Sequence, residues 1–393
     1  AYSVAEFLKK KSALTELRMN RCNLSDSDMP SICQAIRGNK DTSLAHIQLN
    51  NNHIGPEGAK VVAKLVSADG CIIHTMDISW NRIGTEGALP IAKALQINSS
   101  VIQLDLSACS IDDQGGQALA HSLIDNNSME VLLLAQNQIK GGSCFVFSKT
   151  CATHPRMTRL DLSSNPVGEA GARSVYRQIM RGLRCFVQMR SCSYFVDDKI
   201  FNYTNPSMDS PYTLDVSEPY KSAVMVELLH LAIEHPGNCR FGAVTYQATS
   251  SGPVDSLNLI EKNGEIMCKG KKYEVPKTGV LHVEFFSSVS IPSMKNKLPD
   301  KSLYVTKMIV KAAAEQDRLP YLRLITADVQ MTCAQAQDLI QYFMENQIIG
   351  SGGLRKMDIL ACTWTHLIDT KNMYDFMVLN ILKRDRRALI NEV

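Results

Sequence analysis

The chain has 393 residues, a formal net charge of +3 and 45% hydrophobic residues, enough for two or three ordinary globular domains. This charge balance gives no global basic field that would draw nucleic acid, and no run reaches the roughly 18 apolar residues a membrane helix needs. No secretory signal opens the chain at Ala1, and its twelve cysteines form no C-x-x-C pair, so they are read as buried, reduced thiols of a cytoplasmic protein.

From residue 14 one pattern recurs. LTELRMNRCNL, LAHIQLNNNHIGPEGAKVVAKL, IHTMDISWNRIGTEGALPIAKAL, VIQLDLSACSIDDQGGQALAHSL, MEVLLLAQNQIKGGSCFVF and MTRLDLSSNPVGEAGARSVYRQI begin at Leu14, Leu44, Ile73, Val101, Met129 and Met157. The steps between them are 30, 29, 28, 28 and 28 residues, and a fixed period in the twenties marks a solenoid. In each unit L-x-x-L-x-L alternates apolar and polar residues, the sign of a short strand with one buried face. Asn52, Asn81, Asn137 and Asn165 then stand two residues past the strand, with Cys22 and Cys109 in the same place. A short polar side chain there satisfies the inward-packed backbone of the turn. Gly-x-x-Gly-Ala follows, with Gly58-Ala59 expected to let the helix approach the strand layer, and Val61, Val62 and Leu65 have helical spacing.

One such unit cannot bury its own apolar face, but stacked units can. The pattern resembles the leucine-rich repeat in its long, ribonuclease-inhibitor-like form, over about residues 13 to 182. FVQMRSCSYF, from Phe186, is read as a degenerate seventh unit or a junction. The resemblance implies an α/β solenoid of about six to seven repeats of 28–30 residues, spanning residues 1–197.

Beyond it, NYTNPSMDSPYTLDVSEPY reads as an extended junction and KSAVMVELLHLAIEH as a helix ended by Pro236-Gly237. RFGAVTYQ and VLHVEFFSSVSI read as strands, and Asn263-Gly264 as a hairpin turn. Residues 198–295 are therefore expected to form a small α/β module. From 296 to 393 the pattern is helical, with Thr332 and Gln335 as a capping box and Asp369 as a further cap. AQAQDLIQYF, KMDILACTWTHLID and the DFMVLNIL–KRDRRAL pair resemble a helical domain of unknown function that also occurs in leucine-rich-repeat proteins of ciliated and flagellated protists. That resemblance implies a place in a cilium or flagellum, in the axoneme or other cytoskeleton.

Catalytic chemistry is not legible. GEIMCKGKK has five residues between its glycines and lacks Ser or Thr after the first Lys, so it is not a phosphate-binding loop. No His pair has zinc-protease spacing and no G-x-S-x-G elbow occurs. No catalytic residue, cofactor, metal or small-molecule substrate is expected. The triplets at Asn23, Asn98, Asn126 and Asn202 are read as chance sequons, and KRDRR as the solvated end of a helix.

The candidate site is a surface. Arg18, Gln48, Asp77, Asp105, Leu133 and Asp161 hold one strand position in successive units, facing out from the inner, concave wall. Ser79, Ser107 and Ser163 line the next column, and Arg21 and Trp80 lie on the same side. Asp-x-Ser is common in such repeats, but an acidic strip with an aromatic anchor also suits a basic protein partner. The expected function is a non-enzymatic scaffold or structural subunit that binds other proteins in a larger assembly, with no membrane or nucleic-acid partner. The alternative is a small-GTPase regulator, because a class of GTPase activators uses the same long repeats.

Overall fold

The computed structural model describes residues 2–10, 14–38, 43–180, 184–193, 201, 206–207, 209–288, 298, 300–326, 330–346, 348–349, 354–364 and 367. Contacts divide the chain into two units, residues 1–171 with 183–289 and residues 172–182 with 290–393.

Seven three-residue strands, β1 (Glu16–Arg18), β2 (His46–Gln48), β3 (Thr75–Asp77), β4 (Gln103–Asp105), β5 (Val131–Leu133), β6 (Arg159–Asp161) and β7 (Phe186–Gln188), form one parallel sheet in chain order. Helices alternate with them: α1 (Tyr2–Lys10) precedes β1, then come α2 (Met29–Gly38), α3 (Pro56–Val66), α4 (Gly84–Ile97), α5 (Asp113–Ser122), α6 (Gly141–Thr153) and α7 (Gly168–Met180). The middle residue of each of the first six strands, Leu17, Ile47, Met76, Leu104, Leu132 and Leu160, is buried. The seventh strand pairs with β6 in the common register, so FVQMRSCSYF starts a true seventh unit.

The turn after each strand is held by a ladder of side chains. Asn52 Oδ1 accepts from the amides of Cys22 and Leu24 at 2.9 and 3.1 Å, while its Nδ2 donates to the carbonyls of Met19 and Leu49, both at 2.8 Å. Asn81 accepts from Ile54 N and donates to Leu49 O and Ile78 O, each at 3.0 Å. Asn137 and Asn165 repeat the arrangement, each accepting two amides of the preceding unit and donating to one carbonyl in each unit. Cys109 and Cys192 hold the same position with a thiol that donates back to the preceding unit, to Ile78 O at 3.4 Å and Leu162 O at 3.2 Å. Burial pushes the Cys109 thiol up to about 12, so it stays a donor. Cys192 lies in the unit whose asparagine the sequence does not show.

A second ladder joins the far ends of the helices. Asn98, which caps α4, donates to Val66 O at the end of α3 at 2.8 Å, and its Oδ1 accepts from Val101 N at 2.7 Å. Asn126 donates to Leu95 O and Asn98 O at 2.7 and 3.0 Å. His154 stands at the corresponding place after α6, its Nδ1 accepting from the amides of Arg156 and Met157 at 3.1 and 2.9 Å. Burial holds its pKa below the usual imidazole value, which keeps the acceptor nitrogen unprotonated. Asn98 and Asn126 are thus buried structural residues.

Glycines set the spacing between units. A Cβ on Gly87 would lie 2.8 Å from the Ala59 Cβ, and one on Gly115 3.3 Å from the Ala88 Cβ. The Gly-Ala pair therefore packs each helix against the preceding helix, and the helix-to-strand approach expected from the sequence is not its main task. At Gly58 the near neighbours are likewise Asp26 and Met29 of the preceding unit, with Ile54 of its own turn.

The sixth helix departs from amphipathicity. Gly141 to Cys151 is buried on every side, as for a helix enclosed between layers. The enclosing element is α8 (Pro219–Glu234), which packs against α6 and α5. Lys149 of α6 forms a buried ion pair with Glu227 of α8, and the Lys149 ammonium lies 5.3 Å from the Phe145 ring centroid. Phe145 also meets Tyr220 at 5.3 Å and Phe201 at 6.0 Å.

Around α8 lies a four-stranded antiparallel sheet of β8 (Tyr212–Asp215), β9 (Cys239–Gln247), β10 (Val254–Leu257) and β14 (Val280–Ser287), in the order β10-β9-β14-β8. A three-stranded sheet joins β11 (Leu259–Lys262), β12 (Glu265–Cys268) and β13 (Lys271–Lys272). Asn263 and Gly264, with φ of 56° and 81°, make the expected hairpin between β11 and β12. β8 lies in the segment read as a junction; Tyr212 and Leu214 point inward and the strand pairs with β14.

The other unit holds α9 (Asp300–Ala312), α10 (Arg318–Thr326), α11 (Cys333–Glu345) and α12 (Lys356–Trp364). Thr332 and Gln335 form the expected capping box, and Gln335 Nε2 also reaches Leu298 O at 2.6 Å. Asp369, KRDRR and Asn202 lie outside the described residues.

Two stability predictions follow from these contacts. Asn81→Leu removes four buried hydrogen bonds and should cost about 1–3 kcal/mol in denaturant unfolding; an unchanged midpoint would contradict the ladder. Lys149→Met should cost about 3–5 kcal/mol by removing the ammonium that pairs with buried Glu227, and adding Glu227→Leu should recover most of that loss. A double variant as unstable as the single would contradict this account of the pair.

Candidate interaction face

Strand register brings most of the candidate residues into one row. Arg18 pairs with Gln48, Gln48 with Asp77, Asp77 with Asp105, Asp105 with Leu133, and Leu133 with Asp161. Neighbours in such a row stand about 4.8 Å apart. Each is one residue past the buried middle of its strand, so it projects from the sheet face opposite the buried layer.

The aspartates have a local task as well. Asp77 Oδ1 accepts from Ser79 N at 3.0 Å and Ser79 Oγ at 2.6 Å. Asp105 accepts from Ser107 N at 2.8 Å, and Asp161 from Ser163 N at 2.9 Å. Asp-x-Ser thus closes the strand end with a side-chain turn. Asn50 of the neighbouring unit donates to Asp77 Oδ2 at 2.5 Å. Asp161 is only 8% exposed, with Arg159 3.7 Å away, so it contributes less surface than the sequence suggests. Arg18 is exposed and bonded to Glu16 at 2.6 Å.

Burial raises the Asp105 pKa above the usual carboxylate range; the Ser107 bonds oppose this, and the charges of Asp77 and Asp161 add to it.

Arg21 and Trp80 occupy a different row. They share the turn position of Asn51, Ala108, Gln136, Ser164 and Ser191, all left-handed with φ between 53° and 58°. Short polar residues and Asn adopt that conformation most readily, while a bulky residue there is uncommon. Trp80 is nonetheless 56% exposed, in the turn that follows β3. On the seven-stranded sheet an exposed aromatic escaped the sequence reading: Phe186, 61% exposed, pairs with Arg159 at the C-terminal end of the sheet. Accepting the seventh unit would have revealed it.

Among the described residues no group of His, Cys, Asp or Glu is arranged to hold a metal ion, and no helix is long and apolar enough to cross a membrane.

The raised Asp105 pKa gives a signed prediction. Its protonated form is favoured by folding, so the stabilisation is present below the unfolded carboxyl pKa and is lost as pH rises through the folded value. Asp105→Asn should therefore raise the melting temperature at pH 7 and raise it less near pH 4. A variant that melts lower than the parent at pH 7 would contradict the charge crowding.

Comparison with known proteins agrees with the repeat geometry. The family model described as leucine-rich repeat matches residues 40–63, 73–92, 98–120 and 154–175. Pig (Sus scrofa) ribonuclease inhibitor is 24% identical over 42% of this chain and 36% of its own length. Mouse (Mus musculus) NACHT, LRR and PYD domains-containing protein 14 is 26% identical over 38% of this chain and 16% of its own. The chain thus spans well under two thirds of either relative. The solved structure of leiomodin-1 actin-binding site 2 aligns with 40% of this chain and 76% of its own at 16% identity and a TM-score of 0.29, a likeness that carries no structural argument. The parallel seven-stranded sheet, the turn asparagines and these matches make the first half of the chain a leucine-rich-repeat solenoid, an architecture that mediates contact between proteins.

Proposed function

We propose that this chain is a non-enzymatic binding protein and that its partner, another protein, seats on the open face of the seven-stranded sheet. The observation that carries this reading is the unbroken register of the strands, which lines up Arg18, Gln48, Asp77, Asp105 and Leu133 beside the exposed Trp80. A face fixed by backbone hydrogen bonds in the free protein loses little conformational freedom on binding. An exposed tryptophan beside charged side chains has the composition of an interface hot spot. Further support comes from the helix layer, where α8 already covers α5 and α6.

The division at 1–197, 198–295 and 296–393 is part of the same proposal: the solenoid binds, and the C-terminal segments offer further contacts within a larger assembly. A structural role in a cilium or flagellum rests only on the resemblance of the repeat array, the NPSMDSPYTLDVSEPY junction and the C-terminal helices taken together, and the last of those helices lies outside the described residues. The reading as a small-GTPase regulator needs an arginine or asparagine near a bound nucleotide, for which Arg18 and the exposed turn residue Arg21 are the candidates. Arg18 is instead engaged by Glu16, and no observation favours that reading.

The test is quantitative capture by the tagged chain, compared with Trp80→Ala/Asp105→Lys, with both melting temperatures measured. The expected result is a loss of at least ~10-fold in the captured partner at an unchanged fold. Equal capture by a folded double variant would move the site off this face.

A further inference from the structure

The joint between α2 and α3 carries a groove. Near their N-terminal ends α2 and α3 lie close, since a Cβ on Gly58 would meet Met29 Cγ at 3.1 Å. Toward their C-terminal ends a groove of about 590 Å³ opens between them, lined by Pro30, Cys33, Arg37, Val61, Lys64 and Leu65.

Among the described residues the second ladder does not extend to this joint. Asn98 at the end of α4 ties back to Val66 O of α3, and Asn126 ties back to Leu95 O of α4. The residue that caps α3 is Ser67, and its hydroxyl turns onto its own helix, to Lys64 O at 3.5 Å. It is too short to reach α2 as the asparagines reach their neighbours. Gly38, at the end of α2, has no described atom within 4 Å of the place a Cβ would take.

The chemistry of the groove is one-sided. Its floor is apolar, and burial pushes the Cys33 thiol up to about 12, which keeps it neutral. Its rim carries two exposed cations, Arg37 and Lys64. Lys60, one turn from Lys64, is paired with Glu57, but neither Arg37 nor Lys64 bonds a carboxylate among the described residues. An apolar trough between two helices, with cations on its banks, complements an amphipathic helix whose apolar stripe is flanked by carboxylates. The lining runs from Pro30 to Gly38 on α2 and from Val61 to Leu65 on α3, so about two turns of such a helix fit alongside.

We propose that the α2–α3 groove docks an acidic amphipathic helix of a partner protein, at a site separate from the open sheet face. The commitment is to a helix of another protein; a second copy of this chain is the outcome the test must exclude.

The probe is a fluorescein-labelled synthetic peptide of about twelve residues with leucines at i, i+3, i+4 and i+7 and glutamates on the flanks. Fluorescence polarisation against the full chain should give saturable binding that weakens as salt rises. Arg37→Glu/Lys64→Glu should weaken it at least tenfold, and so should Gly38→Trp, which fills space that is open in the structure. Trp80→Ala should leave it unchanged, so failure here is distinguishable from failure at the sheet face. Circular dichroism melts confirm that each variant folds. No saturable binding, equal binding by the folded variants, or equal binding of a lysine-for-glutamate peptide would overturn the proposal. So would self-association in sedimentation that Gly38→Trp abolishes, because the groove would then belong to a second copy.

Discussion

Everything in the solenoid depends on how the turn after each strand is satisfied. That turn packs inward, where water cannot serve its amides and carbonyls, and an unpaired backbone group costs about as much as a lost hydrogen bond. Asn52, Asn81, Asn137 and Asn165 meet the demand by bonding their own unit and the one before it. Each bond set therefore does two things: it closes a turn and it fixes the register to a neighbour. Parallel strands of three residues are too short to set their register by pairing alone. The row of candidate binding residues is a by-product of this internal constraint.

The helix layer solves a different problem. Small residues bring consecutive helices together at one end, and the buried Asn98, Asn126 and His154 organise the other. Among the described residues no such tie spans α2 and α3, and a groove lies between them. Where the layer must accept a second element, α6 gives up its polar face and meets α8 through Phe145 and the Lys149–Glu227 pair. A buried pair of this kind adds little net stability over an apolar contact, yet a wrong partner would leave a charge stranded.

Much of this was legible in the sequence because the constraint repeats. Six phased units with Asn or Cys at one place give the strands, the turns and the order of the sheet. The seventh was less visible because Cys192 stands for Asn and the usual Gly-Ala helix does not follow. The Asn98 and Asn126 ladder was hidden by coincidence: both sit in Asn-x-Ser triplets that also read as sequons, and only their burial reveals the structural use. β8 was missed because its prolines signal turns more loudly than Tyr212 and Leu214 signal alternation. At the candidate face the strand register pairs Arg18, Gln48, Asp77, Asp105, Leu133 and Asp161 in succession. What the sequence could not convey was that Asp77, Asp105 and Asp161 already accept bonds from the following serines, that Asp161 is buried, and that Trp80 rides on a left-handed turn. Those are properties of three-dimensional packing, and no spacing encodes them.

The central claim is that the asparagine ladder holds the open face rigid before any partner arrives. Native-state hydrogen exchange of the free chain tests it most directly, at the amides the ladder accepts from: Leu24, Ile54, Cys109, Ile111 and Ile139. The account predicts that these amides exchange together, at rates that report opening of the whole array, and more slowly than the exposed turn amides beside them. Fast and mutually independent exchange at these positions would contradict it, because the face would then be assembled by the partner and not by the fold.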